Sequence, residues 1–299
     1  VAMKSRLEEN GIPVPWYREI FNVQELKSAV KDTSGCLVIK PVDSRGARGV
    51  LRLMPEDDLD WAFNHARKFS PTRRVMIEEF IDGPQVSTEG VIIDNVGYPV
   101  VASDRNYPNF VESHPFMIED GGGFPTELSK ENKTAIELLS LEAGKSLGVE
   151  NGIIKGDMVL SSEGPKVIEV APRLSGGWLS SDQVPLGLGI DLVEIAIDIS
   201  LGNRIEVERL KATKEVGVAI RFFFPKPGCL EAVTESLSLE DCDWLYKRQY
   251  YVGPGDTIVR PQNHTQRAGF VITTGDSARE ARERAEFAIE STRFHYKIS

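Results

Sequence analysis

Between Ile153 and Val170 the chain carries two apolar runs, Asp157–Leu160 and Lys166–Glu169, joined by the turn Ser161–Pro165. If Leu160 pairs with Lys166, antiparallel register sets Asp157 opposite Glu169, and both side chains leave the same face of the hairpin. Two carboxylates so placed repel each other unless a cation lies between them, and their hard oxygens suit Mg²⁺ (or Mn²⁺). Arg173 follows four residues after Glu169, close enough to stabilise a phosphoryl or tetrahedral anion. By parity Lys155 shares a face with Asp157, either supporting its charge or solvated. A surface hairpin with solvated acids fits the same residues.

Two other segments carry candidate chemistry. Lys40 ends an apolar strand and leads into a loop containing Ser44, Gly46 and Gly49, which offers cations and backbone N–H groups to phosphates. An exposed basic turn is the plainer reading. Residues 75–87 form a strand through Glu78, Glu79, Phe80 and Ile81 into Gly83-Pro84, whose end can pair with an adenine edge between apolar flanks. The tetrapeptide Ala143–Ser146 mimics the end of a Walker loop, but Leu139 stands where the first glycine belongs, and its place inside a long helix makes it structural.

These segments lie in a chain of 299 residues, long enough for two or three lobes. Its formal net charge of -10 argues against nucleic acid as a partner. No apolar run reaches bilayer length, and three cysteines without metal spacing fit a reduced, cytoplasmic setting. Expected helices run over 2–10, from Asn22 to about Lys31, from Pro55 to Phe69, over 129–147 and over 190–201. Expected strands are 36–40, 50–53, 74–80, 86–93 and 98–103, the last two flanking a hairpin turn at 94–97. From about Val207 a separate β-rich unit follows, ending in a helix with a capping box at Ser277–Glu280. This mixed order predicts α+β lobes rather than one doubly wound sheet.

In this order the three elements resemble the ATP-grasp superfamily over residues 1 to about 205, more weakly beyond. The resemblance implies two α+β lobes sandwiching ATP: 1–84 with the glycine loop, 85–205 with the metal hairpin, and 206–299 as a C-terminal subdomain. It implies that Lys40 contacts the α- and β-phosphates, that Ser44–Gly49 closes over the γ-phosphate, and that Glu78–Ile81 is the adenine hinge. Gln85 stands where the family usually has a ribose-binding glutamate. Asp157 and Glu169 become Mg²⁺ ligands, with Arg173 beside the reacting group. Ala171 replaces the family's commonest asparagine, so water or substrate must fill one coordination position. The segment 2–15 matches the family stretch just after its first nucleotide-binding lysine, which places that lysine and a preceding α/β domain before Val1. Lys4 aligns with a later helical position.

The stretch Arg173–Ser181, with Gly176 and Gly177, and Gly189–Val193 are most similar to amino-acid and dipeptide ligases. The implied reaction is ATP-dependent joining of a small carboxylate to an amine or amino acid through an acyl phosphate. Arg173, Ser175, Gly176 and Gly177 would stabilise the tetrahedral oxyanion. Arg105 and His114 are candidates for docking a substrate anion, or alternatively surface salt-bridge or satisfied loop residues. Bicarbonate activation and a non-catalytic nucleotide-binding module are the competing readings. An open C-terminal β unit is compatible with a homodimer.

Overall fold

The computed structural model describes residues 1–33, 35–107, 110–236, 238 and 242–297. Near the N-terminus four strands pair antiparallel in the order Tyr17–Ile20, Val75–Glu79, Leu37–Pro41, Leu51–Leu53. Alternation along them buries Leu37, Ile39, Val75 and Ile77 against the helices Val23–Asp32 and Leu59–Lys68. Each such side chain, fully buried, contributes about 1.5–3 kcal/mol. The same period turns Lys40 and Glu78 to the opposite face. Asn22 caps the first helix by accepting the Glu25 N–H at 3.0 Å. The second helix starts later than Pro55: Asp58 caps it at the Trp61 N–H (2.9 Å), while Asp57 closes the preceding turn onto Met54 N–H.

A second sheet has eight antiparallel strands, in the order Leu245–Tyr250, Gly269–Gly275, Gly217–Phe222, Gly121–Phe124, Val96–Asn106, Gln85–Ile93, Gly152–Ser161, Gly164–Ala171. The region beyond 205 is therefore not a separate unit. Three of its strands extend the large-lobe sheet, and Val218, Ile220, Phe270 and Ile272 share a core with Val91, Phe124 and Ile153. Among the described residues only Gly228–Glu235, Thr257–Ile258 and Thr292–Tyr296 pair apart. The α+β class is as expected.

The joint between old and new strands is Gly121–Phe124, whose glycines hid it from a propensity reading. Packing explains them: a Cβ on Gly122 would sit 2.4 Å from the Asp104 carbonyl oxygen. Asp94 and Asn95, at φ 50 and 66, make the hairpin turn a two-residue one.

The long helix Lys130–Ser146 covers one face of the large sheet, touching Val86, Ile154, Met158, Val167 and Val170 through Ile136, Leu141 and Ala143. It lies so close that a Cβ on Gly156 would meet Ser140 Oγ at 2.5 Å and Thr88 Oγ1 at 2.6 Å. Gly144 faces Ile154 within this helix, so Ala143–Ser146 is structural, as read. With Gly156 turned to the helix, its neighbours Lys155 and Asp157 face away from it. The C-terminal helix Ala278–Glu290 is capped by Ser277 at the Glu280 N–H, while the Glu280 carboxylate reaches Asp276 N–H. Among the described residues no helix is long and apolar enough to cross a membrane.

Candidate active site

The outward face of the large sheet and the polar face of the small one enclose a cleft of about 570 Å³. On the small-lobe wall Lys40 Nζ lies 2.5 Å from Glu78 Oε1, and Lys4 Nζ lies 2.8 Å from Glu78 Oε2. Glu78 is 4% exposed and Lys4 1%. Burial alone would raise the Glu78 pKa, but the two ammonium groups outweigh it and hold the carboxyl below its usual range. Burial lowers Lys4 to about 8 despite Glu78. The carboxylate of Glu78 is thus committed to two lysines. Lys4 stands behind it rather than in the cleft.

The loop after Lys40 is rooted by Asp43, whose carboxylate accepts from Ser70 Oγ (2.5 Å) and from Thr72 N (3.1 Å) and Oγ1 (2.5 Å). Ser44 and Gly46 line the cleft. Gly49 does not. At φ +75 it closes the loop, and its missing Cβ would lie 2.9 Å from Pro41 Cγ and 3.1 Å from Phe69. Glu79, Phe80, Ile81 and Gln85 line the cleft at the crossing between lobes. Glu79 accepts from Trp16 N–H (3.2 Å) and pairs with Lys166 (3.2 Å), while Phe80 carries Arg52 over its ring. Leu160 N–H donates to the Pro84 carbonyl at 2.9 Å, tying the crossing to the carboxylate hairpin.

In that hairpin Asp157 and Glu169 are cross-strand partners, as expected, by a different route. Leu160 pairs with Pro165, not Lys166, and a bulge between Asp157 and Met158 restores the register. The extra residue is Ile168. Val167 and Val170 face the long helix, whereas Ile168 and Glu169 both turn to the cleft. Asp157 lies 2.9 Å from Arg105 Nη1, pairs with Lys155, and accepts from Ser87 Oγ at 3.2 Å. Burial pushes its pKa up, but Arg105 and then Lys155 hold it well below the usual carboxylate range. Glu169 is exposed, with Arg173 4.0 Å away. Among the described residues no three His, Cys, Asp or Glu side chains group to hold a metal by themselves. Two hard carboxylates on one face fit a divalent cation that takes its other ligands from phosphate and water.

After Arg173 the chain passes over Glu89, a buried carboxylate (1% exposed). Its Oε1 accepts the Ser175 N–H at 2.7 Å and Ser180 Oγ at 2.5 Å, and Ser180 Oγ also reaches the Ser175 carbonyl at 3.2 Å. Burial raises the pKa of Glu89. Arg173, Ser175, Gly176 and Gly177 all line the cleft from this pinned loop. Glu89→Ala should speed exchange of the Ser175 amide about tenfold to a hundredfold, the worth of a charged hydrogen bond. Glu89→Gln, which keeps an acceptor oxygen, should leave it near wild type. Hydrogen-exchange mass spectrometry of the 172–181 segment reads both.

Arg105 lines the cleft, but its guanidinium is already shared between Glu119 (3.0 and 2.8 Å) and Asp157. His114 does not line it. Its Nε2 lies within hydrogen-bond distance of Asp57 Oδ1 (2.8 Å) on the small lobe, so the ring is held outside the cleft and the substrate role is withdrawn. Several cleft residues had no recognisable sequence signal. Glu119, His264 and Arg267 all line it, the last two from a turn beyond residue 260. His264 N–H donates to the Gly46 carbonyl at 3.1 Å, and its Nε2 accepts the Glu119 N–H at 3.3 Å. Burial and then Arg267 lower the His264 pKa to about 3, so the ring is neutral. Glu89 had a faint signal, an acid just before the apolar run Val91–Ile93 of its strand.

Residues 221–297 match the L-amino acid ligase C-terminal domain 2. The chain is 25% identical over 302 residues to the uncharacterized protein y4rH of Sinorhizobium fredii, covering 97% of this chain and 59% of that one. It is 25% identical over 296 residues to a cyanophycin synthetase of Geminocystis herdmanii, covering 92% and 32%. It thus spans less than two thirds of either relative. The crystal structure of an L-amino acid ligase from Bacillus licheniformis superposes with a TM-score of 0.83 at 21% identity, covering 99% of this chain and 71% of that one. The ATP-grasp domain matches residues 1–177, from the first helix through the glycine loop and the carboxylate hairpin to Gly177, and the chain belongs to that family.

Proposed function

We propose that this protein is an ATP-dependent carboxylate–amine ligase working through an acyl phosphate, with release of ADP and phosphate. One observation carries the reading: a single cleft joins a lysine and glycine loop to two facing carboxylates and a pinned Arg-x-x-Gly-Gly loop. Lys40, fixed by Glu78, holds the α- and β-phosphates of the nucleotide. The backbone of Ser44–Gly46 lies against the terminal phosphate, with Gly49 setting the loop's turn, and Phe80 and Ile81 flank the base. Glu79 and Gln85 sit at the nucleoside side.

Asp157 and Glu169 are the residues that would hold Mg²⁺, and Ala171 adds no ligand. The metal, when bound, offsets the repulsion between phosphate oxygens and an incoming carboxylate. Lys155 and Arg105 keep Asp157 anionic for that task. The substrate carboxylate attacks the γ-phosphorus in line, giving the acyl phosphate and ADP. The amine then displaces phosphate through a tetrahedral intermediate, whose oxyanion faces Arg173 and the Ser175–Gly177 backbone. Glu89 holds that backbone in place. The glycine loop, resting on His264, excludes water from the acyl phosphate.

Likeness to an L-amino acid ligase supports a ligase that takes amino acids. Phosphate release from ATP should require an amino-acid pair, and hydroxylamine should trap a hydroxamate from the acid alone. Release that depends on bicarbonate without any amine would favour the carboxylase reading. Nucleotide binding without release under any pair would leave a non-catalytic module.

A further inference from the structure

Charges at the end of the cleft walled by the 263–267 turn pair off, with one exception. Arg105 and Lys155 face Glu119 and Asp157, two cations against two carboxylates. Arg267 makes no salt bridge among the described residues, although the Glu119 carboxylate, already held by Arg105, acts on its charge from farther off. It is 8% exposed, donates Nη2 to the Glu119 carbonyl, and lies over the Phe222 ring with its guanidinium carbon 3.8 Å from the centroid. Its Nε is buried without a hydrogen-bond partner. His264 beside it accepts the Glu119 N–H through Nε2 and offers no anion to the guanidinium. A buried guanidinium with an unmade hydrogen bond is costly unless an anion completes it. Its planar fork matches a carboxylate better than a point charge would.

We infer that Arg267 docks the carboxylate of a small-molecule substrate, so that the segment beyond residue 260 completes the substrate site of the ligase proposed above. That carboxylate belongs either to the acid being activated or to the amino acid that supplies the amine. The same turn donates His264 N–H to the glycine loop at Gly46. A substrate on Arg267 therefore lies one residue turn from the element that closes over the terminal phosphate.

Two measurements on the full chain test this. The first does not need turnover. Acetate, against chloride at equal ionic strength, should raise the melting temperature of the wild type. Arg267→Gln should lose that response and Arg267→Lys should keep part of it. An equal response in Arg267→Gln, or none in the wild type, overturns the inference. The second uses ATP-dependent phosphate release over L-amino acids and their amides. Losing a charge-assisted hydrogen bond should raise KM roughly tenfold to a hundredfold. A rise with the amino acid but not its amide assigns Arg267 to the amine partner, and a rise confined to the acid assigns it to the activated carboxylate. An unchanged KM for both overturns the inference. If Arg267→Gln does not fold, Arg267→Lys carries the test, because a point charge on the same site should still raise KM several-fold. A wild type that turns over no pair defeats the ligase reading alone, while the acetate comparison still decides Arg267.

Discussion

Asp157→Asn will lower ATP-dependent phosphate release about a hundredfold to a thousandfold, the loss that follows when one preorganised charge is removed from a reacting centre. Asparagine keeps the shape and the contact with Ser87. What disappears is the anion that both Arg105 and Lys155 face, and one of the two carboxylates able to hold a divalent cation. Breaking such a largely buried pair also costs about 3–5 kcal/mol of stability, so the melting temperature must be read beside the rate. Glu169→Gln separates the two effects. Glu169 is exposed and only loosely approached by Arg173, so its neutralisation should lower turnover with little change in melting. A Glu169→Gln enzyme as fast as the wild type would falsify the shared cation site.

The second large effect is on folding. Glu78→Ala will leave the ammonium groups of Lys4 and Lys40 facing each other without an anion, one of them at 1% exposure. The expected loss is about 3–5 kcal/mol, or roughly 10 °C in melting temperature. A fall of only a degree or two would mean that water screens the triad. Its pH dependence has two signs. The Glu78 pKa is lowered in the folded protein, so its contribution is present above about pH 4.5 and fades as pH falls through the folded value. Lys4 is lowered from 10.5 to about 8, so folding is penalised below pH 8. Between about 8 and 10.5 the unfolded chain binds the extra proton, and stability therefore rises with pH. Lys4→Met should abolish that alkaline rise, which denaturant titrations across the window will show.

In both experiments the candidate site residues were legible in the sequence and their partners were not. Lys40, Asp157, Glu169 and Arg173 stand in local patterns, a strand end and a hairpin, where alternation alone fixes the face. Glu169 shows how narrow that inference is. The pairing first assumed, Leu160 with Lys166, does not occur, and the right face survives because Ile168 bulges out. A one-residue slip of this kind would otherwise have turned the acid into the helix-packed side. Gly49 was misplaced for a related reason: glycine marks a loop equally well where the chain must turn and where a phosphate must approach. His114 resembled a ligand only because its partner, Asp57, lies 57 residues earlier on another lobe.

The sequence by itself determined the α+β class, the helix caps at Asn22 and Ser277, and the order of lysine, glycine loop and carboxylate hairpin, because each depends on neighbours a few residues apart. Tertiary structure alone decided that Glu78 clamps two lysines, that Glu89 pins the Ser175 backbone, and that the strands beyond 216 continue the large sheet. It also alone carried His264 and Arg267 into the cleft. Those contacts join residues from 38 to about 150 positions apart, set by how sheets stack and close rather than by any local period.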